Sequence, residues 1–195
     1  MALSHTLPAR KLQLTTTLQA VGARVNIGRR EVTVCSIYLP PGRDMPVAQL
    51  EALMSELPPP LLLLGDFNAH HTVWGCDQVN TRGRHLERFI SQHALCVLNT
   101  GQATHFSLPS GRESVLDLSL CSPQHASLFH WSVGGDPMGS DHLPIFLAID
   151  DQSCSSQNFS PRFCDTAIAD NPKSIAEFIV KFMKFRVRDR ELFLP

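Results

Sequence analysis

The chain is 195 residues long, which leaves room for one domain with a tail but not for two full domains. Hydrophobic residues make up 43% and charged residues 18%, enough apolar material for a buried core, and this excludes general disorder. Seventeen Lys and Arg against 18 Asp and Glu give a formal net charge of -1, so no overall positive field marks the chain for a polyanion and any nucleic-acid contact must be local. Basic residues do gather at Arg24, Arg29 and Arg30, at Arg82, Arg84 and Arg88, and between Lys173 and Arg190, interleaved with carboxylates as on ordinary solvated faces. The six cysteines are widely spaced and form no CxxC pair, so buried reduced thiols are expected. The first residues lack a long apolar core, and no stretch approaches the roughly 18 apolar residues of a spanning helix. The expectation is a soluble intracellular protein, nuclear or cytoplasmic.

Along the chain, residues 20–27 alternate with Val21, Ala23, Val25 and Ile27 on one side, the period-2 pattern of a half-buried strand. Gly28-Arg29-Arg30 predicts a turn, and residues 31–38 repeat the alternation as a hairpin partner ending at Pro40-Pro41-Gly42. From Asp44, a capping carboxylate, an early Pro46 and the spacing of Val47, Leu50, Met54 and Leu57 predict a helix that stops at Pro58-Pro59-Pro60. Leu61 to Leu64 are wholly apolar, as in a central strand covered on both faces, and run straight into Gly65-Asp66-Phe67-Asn68. A second helix is predicted over 81–93 and a strand over 95–98. Strands over 115–120 and 128–133 are expected to pair with each other, and a last apolar strand spans 144–149. This mixture of hairpin-like strands and helices predicts a layered α+β sandwich over residues 1–150. A polar, Ser-rich linker over 151–171 and an amphipathic tail helix over 172–195 follow, the helix carrying Ile175, Phe178, Ile179 and Phe182 on one face.

Hydrolysing a phosphodiester needs an activated water, cations or donors for the phosphoryl oxygens, and a stabilised leaving oxygen. Asp66 and Asn68 are two apart at the end of the apolar strand, so continued extension would point both side chains the same way. Taken alone, a Gly-Asp-x-Asn is more often a polar turn closed by Asx side chains. Asp117 lies among apolar neighbours, where an unpaired carboxylate would cost several kcal/mol, roughly, and it therefore needs a partner. Ser140-Asp141-His142 offers an imidazole for Asp117 to orient and a carboxylate for a hard cation such as Mg2+. A salt-linked structural Asp and His fits that pattern equally well. Tyr38 closes its strand beside the same rim, although a strand-end Tyr is more often a packing residue. His70 and His71 match no zinc spacing and are expected to shape the loop.

In order, Tyr38-Leu39-Pro40, Gly65-Asp66-Phe67-Asn68-Ala69-His70, Thr104-His105-Phe106, Ser114-Val115-Leu116-Asp117-Leu118 and Ser140-Asp141-His142-Leu143-Pro144-Ile145 resemble the endonuclease domain of non-LTR retrotransposons, jockey-like in flavour. The resemblance covers about residues 12 to 149 and places the chain in the endonuclease/exonuclease/phosphatase superfamily. It implies a four-layer αββα sandwich like that of deoxyribonuclease I, DNA as substrate, and Mg2+ or Mn2+ as cofactor. In a full-length element it also implies a reverse transcriptase domain as partner. Carried over by motif, Asp66 would activate the water, Asn68 and His142 would bind the scissile phosphate, and Asp117 would orient His142. Asp141 would hold the metal, Tyr38 would contact the phosphate or leaving group, and Thr104 would touch the phosphate backbone.

One departure concerns the family's Gln-Glu pair, whose Glu is a principal metal ligand. Nothing before Tyr38 matches it, and Glu31, beside a turn, is a poor substitute. The chain is therefore expected to begin inside the fold. This motivates a rival reading as a catalytically inactive remnant or binding module. A phosphatase of the same fold acting on inositol phosphates is a further alternative.

Overall fold

The computed structural model describes residues 8–27, 30–42, 44–107 and 109–149, together with the backbone of 178–180. A short strand, β1 (Ala9–Lys11), lies antiparallel to β2 (Gln19–Ile27), which pairs with β3 (Arg30–Tyr38) in a register running from Gln19 opposite Tyr38 to Ile27 opposite Arg30. This is the hairpin that the alternation predicts. Helix α1 (Val47–Glu56) then leads to β4 (Leu61–Asp66), parallel to β3. Asp44 does not cap α1, since the cap position falls to Pro46 with no side-chain hydrogen bond. Two residues farther out, the Asp44 carboxylate is displaced from the position that satisfies first-turn amides.

Helix α2 (Thr81–Gln92) is capped by Asn80, whose side chain accepts from Gly83 N at 2.7 Å. It is followed by β5 (Cys96–Val97), the small ribbon of β6 (His105–Phe106) and β7 (Glu113–Ser114), and then β8 (Asp117–Cys121). The large sheet has the order β1-β2-β3-β4-β8-β5. β9 (Phe129–Val133) and β10 (Ile145–Ile149) belong to a second sheet. The expected pairing of the strands near 115–120 and 128–133 is thus overturned: β8 sits between β4 and β5, while β9 pairs with β10. The 3-10 turn Pro123–Leu128 carries the chain from one sheet to the other, and Trp131 Nε1 donates back to Ser119 Oγ at 3.1 Å.

The two faces of the large sheet bury different partners. Cys35, Ile37, Leu61, Leu63, Leu118 and Leu120 pack under the helices with Leu50, Leu53, Leu86 and Phe89. Val32, Val34, Leu62 and Leu64 pack against Trp131, Ile145 and Leu147 of the second sheet. Leu61 to Leu64 are apolar throughout because both their faces are covered. Helices, large sheet and small sheet form three layers of an α+β sandwich. An outer helical layer on the small sheet has no counterpart among the described residues.

The predicted linker, and most of the tail helix, lie outside the described residues. The part of that tail which is described is not helical: β11 (Phe178–Val180) pairs antiparallel with β10, with Phe146 opposite Ile179. A Phe-Ile-Val run suits a strand, and beside β10 it covers an otherwise open sheet edge.

Candidate active site

The register of the large sheet sets Tyr38, Asp66 and Asp117 side by side on β3, β4 and β8. Strand alternation puts all three on the face that packs against the second sheet, at the end where the sandwich opens. Gly65 lets this happen, because a Cβ there would lie 2.2 Å from the carbonyl oxygen of Ile37 on the neighbouring strand. From the facing sheet, the segment leading into β10 brings Asp141 and His142 to the same mouth.

Asp66 is 4% exposed, Asp117 0% and His142 6%. His142 Nδ1 lies 2.7 Å from Asp117 Oδ2, the partner that a buried carboxylate requires. Burial alone would lower the pKa of His142, but its hydrogen bond to Asp117 and the charges of Asp117, Asp66 and Asp141 more than offset that, and the net direction is upward. The surrounding carboxylates thus stabilise the imidazolium, and with Nδ1 on Asp117 the other ring nitrogen, Nε2, lies on the side of Asp141. Asp66 is pushed up to about 6, first by burial and then by the Asp117 charge, against the opposing effects of His142 and Asn68.

Asn68 closes a tight turn, with φ at 47° in the left-handed region that Asn tolerates better than most residues. Its backbone N–H donates to Asp66 Oδ1 at 3.0 Å, and its amide nitrogen donates to Asp66 Oδ2 at 2.8 Å and to Leu39 O at 3.1 Å. To donate to a phosphate, that amide must exchange one of these bonds. The Asx turn and the site geometry are therefore the same structure.

Thr104, expected to touch the phosphate backbone, is instead fully buried. Its hydroxyl oxygen accepts from Leu116 N and Asp117 N, both at 3.1 Å, while its carbonyl accepts from Leu143 N at 2.8 Å. A residue so enclosed ties the start of β8 to the His142 segment and presents nothing to solvent. His70 and His71 shape the loop as expected: His71 Nδ1 accepts from Val73 N at 3.2 Å, and His70 O accepts from Asn80 N at 3.0 Å.

Three supporting residues escaped the sequence reading. Arg82 was visible only as part of a basic cluster. Its guanidinium donates to Phe67 O at 2.8 Å, Asn68 O at 3.0 Å and Leu39 O at 3.4 Å, gathering the carbonyls of the turn that carries Asp66 and Asn68. Asn99 accepts from Ser119 N and donates to Asp117 O, both at 2.9 Å, and so fixes β8 where β5 has ended. His105 stands edge-on to the His142 ring, with centroids 4.7 Å apart. The only sequence signals were the Asn80 cap, which aims Arg82 at the loop, and the position of His105 in a resemblance motif.

The donor set suits a hard divalent cation. Asp141 is about a third exposed and offers two carboxylate oxygens at the mouth, and Mg2+ typically takes only one or two carboxylates, completing its shell with water and phosphate oxygens. The buried Asp117 Oδ1 lacks a hydrogen-bond partner among the described residues, leaving the site rich in negative charge that a cation would neutralise. Glu31 does not contribute. It pairs with Arg24 at 2.6 Å near the far end of β3, seven residues and about 23 Å of extended chain from Tyr38.

The fold is that of an α+β sandwich of the endonuclease/exonuclease/phosphatase superfamily. The profile of the endonuclease-reverse transcriptase family matches residues 32–146, more than half the chain, and the protein belongs to that family. It is 32% identical over 120 residues to the RNA-directed DNA polymerase from mobile element jockey of Drosophila melanogaster, covering 60% of this chain and 13% of the relative. It is 28% identical over 148 residues to the probable RNA-directed DNA polymerase from transposon BS of the same species, covering 74% and 16%. The chain thus spans about a seventh of the length of these relatives. The endonuclease domain of TRAS1, a telomere-specific non-LTR retrotransposon, superposes with a TM-score of 0.64 at 27% identity, covering 72% of this chain and 67% of that one. Among the described residues, no helix is long and apolar enough to cross a membrane.

Proposed function

We propose that this chain hydrolyses a phosphodiester bond of DNA, nicking one strand with the help of a divalent cation, Mg2+ or Mn2+. The observation that carries the reading is the buried Asp117–His142 pair at 2.7 Å, with Asp66 and Asp117 opposite each other on adjacent strands and Asp141 beside His142 at the rim. Asp66, pushed up to about 6, is matched to taking a proton from water near neutral pH. The water oxygen bonds to phosphorus as its proton passes to Asp66, the opposite ester bond breaks, and the departing oxygen takes a proton from solvent water while Asp66 returns its own to solvent. His142 donates Nε2–H to a phosphoryl oxygen while Asp117 holds the ring in place. Asn68 binds the phosphate once its amide releases Leu39 O, and Tyr38, abreast of Asp66, contacts the phosphate or the leaving oxygen. A cation held by Asp141 would supply charge neutralisation at the phosphoryl group. Thr104 and Arg82 position these groups without touching the substrate.

The relatives are named as RNA-directed DNA polymerases, and a nick provides an end that a polymerase can extend. A reverse transcriptase working beside this domain is accordingly part of the proposal. The distance of Glu31 from the rim favours one rival, a module that binds DNA without cutting it.

Incubation with supercoiled plasmid and Mg2+ tests the reading. Open circles that form with the wild type and fall by about 100-fold or more with His142→Ala support it. No nicking under Mg2+ or Mn2+, with plasmid still retarded on a gel, would favour the rival. Phosphate released from inositol phosphates in place of nicking would point to a phosphatase.

A further inference from the structure

The rim carries a second arrangement, which shares Asp141 and His142 with the phosphodiester reading and adds His105, a residue that reading leaves unused. His105 Nε2 lies 3.7 Å from Asp141 Oδ2, and His142 Nε2 lies 4.0 Å from Asp141 Oδ1. One ligand atom from each of the three residues falls within 4.8 Å of the others. Both imidazoles thus turn Nε2 towards one carboxylate. Each is also held from behind at Nδ1, His105 by Ser114 Oγ at 3.1 Å and His142 by Asp117 Oδ2 at 2.7 Å. Metal-ligating histidines are commonly oriented in this way through the ring nitrogen that does not bind the metal.

The backbone fixes the set before any ion arrives. His105 and His142 face each other across an isolated antiparallel bridge. Phe106 N donates to Asp141 O at 3.0 Å and Leu143 N to Thr104 O at 2.8 Å, one bond on each side of it.

From this geometry we infer that His105, Asp141 and His142 form a binding site for a borderline divalent transition ion, Zn2+ above all. Two imidazoles and one carboxylate, with a fourth position open to water, are a donor set that zinc accepts and Mg2+ does not prefer. Tetrahedral zinc with bonds of about 2.0–2.1 Å places its ligand atoms about 3.4 Å apart. The 3.7 Å distance is to Asp141 Oδ2 and the 4.0 Å distance to Oδ1, and the three ligand atoms lie within 4.8 Å of one another, so closing on one ion takes turns of the carboxylate and both imidazoles that shorten the edges by a few tenths of an ångström up to about 1.4 Å. Binding replaces a proton on Nε2 with the metal, so it releases protons, as zinc binding to histidine generally does. The site goes beyond the nuclease reading: it shares Asp141 and His142 with it, so Zn2+ on His142 Nε2 would take the atom assigned to the phosphate, but the geometry stands whether or not the chain cuts DNA.

The test uses the full chain, freed of metal by chelation and titrated with Zn2+ alone by calorimetry, with Co2+ as a spectroscopic probe. One equivalent of Zn2+ should bind, and Co2+ should give the visible absorption of a four- or five-coordinate ion. His105→Ala and Asp141→Ala should each weaken Zn2+ binding at least tenfold and remove that absorption. His105→Gln keeps bulk and a polar group beside Ser114, so it separates ligand loss from loss of folding and should behave like His105→Ala. His71→Ala should change nothing. Absence of a Zn2+ site, or a site unaffected by His105→Gln and Asp141→Ala, would overturn the inference. Zn2+ binding that persists in Asp66→Asn, whatever happens to plasmid nicking, would support it independently of the proposed hydrolysis.

Discussion

Replacing Asp66 with Asn should remove nicking and, with divalent ions chelated, stabilise the protein at neutral pH. Asp66 is 4% exposed, and its carboxyl is raised from 3.8 to about 6, first by burial and then by Asp117. At about 1.36 kcal/mol per tenfold change in affinity for the proton, ionised Asp66 costs the folded chain about 3 kcal/mol. Because the folded value is the higher one, the folded state binds the proton more tightly than the unfolded state does. The associated stability is fully present below pH 3.8 and is lost as pH rises through about 6. The substituted amide has no proton to lose and abolishes this slope. It also forfeits something, because Asp66 accepts from Asn68 N at 3.0 Å and from Asn68 Nδ2 at 2.8 Å, whereas an amide has a single oxygen. One donor is then unpaired, at a cost of about 1–2 kcal/mol. The variant should be more stable by about 1–2 kcal/mol above pH 7 and less stable by a similar amount near pH 4. Urea unfolding in EDTA at pH 4, 5.5 and 7.5 measures this, and the two midpoint curves should cross. A stability difference that stays constant over that range would refute the buried-charge reasoning. Nicking by the variant should fall by about 10²–10⁴-fold, the usual contribution of a general base.

Thr104→Val removes the acceptor shared by Leu116 N and Asp117 N and should destabilise the fold by about 1–3 kcal/mol. Amide hydrogen exchange at both positions should accelerate, and unchanged exchange would deny Thr104 its role as a tie. Arg82→Lys keeps the charge but replaces the planar fork that reaches Phe67 O, Asn68 O and Leu39 O. Nicking should drop by up to about 100-fold through kcat, with KM little changed, because the turn bearing Asp66 loosens while the phosphate contacts remain. A loss confined to KM would mean that Arg82 touches the DNA instead.

What the sequence reveals and what it hides divide along physical lines. Alternation exposed the β2–β3 hairpin, and the all-apolar Leu61–Leu64 exposed the buried strand, because each pattern is a local record of which faces are covered. Asp117 was legible for the converse reason, since a carboxylate against an apolar background demands a partner, whereas Asp66 and Asn68 read locally as a polar turn and stood out through the family resemblance. Strand neighbours were not legible. β8 inserts beside β4, and nothing within residues 115–133 distinguishes that from pairing with β9. Arg82, Asn99 and the actual use of Thr104 were hidden for a related reason. They bind backbone atoms of distant segments, and a backbone acceptor leaves no signature in residue identity.

That division also identifies what sets the geometry of the site. Tyr38, Asp66 and Asp117 are fixed relative to one another by hydrogen bonds within one sheet. His142 comes from the lead-in to the other sheet, and its 2.7 Å contact with Asp117 spans the gap. The spacing between the sheets is governed by Val34, Leu62, Leu64, Trp131, Ile145 and Leu147, all at most 8% exposed. Removing a methylene from that layer should let the sheets move together or leave a void, and either shifts His142 relative to Asp66. The apolar layer beneath the mouth therefore sets the geometry of the proposed active site as much as the side chains above it do, and phosphate binding should be sensitive to substitutions that touch no polar atom.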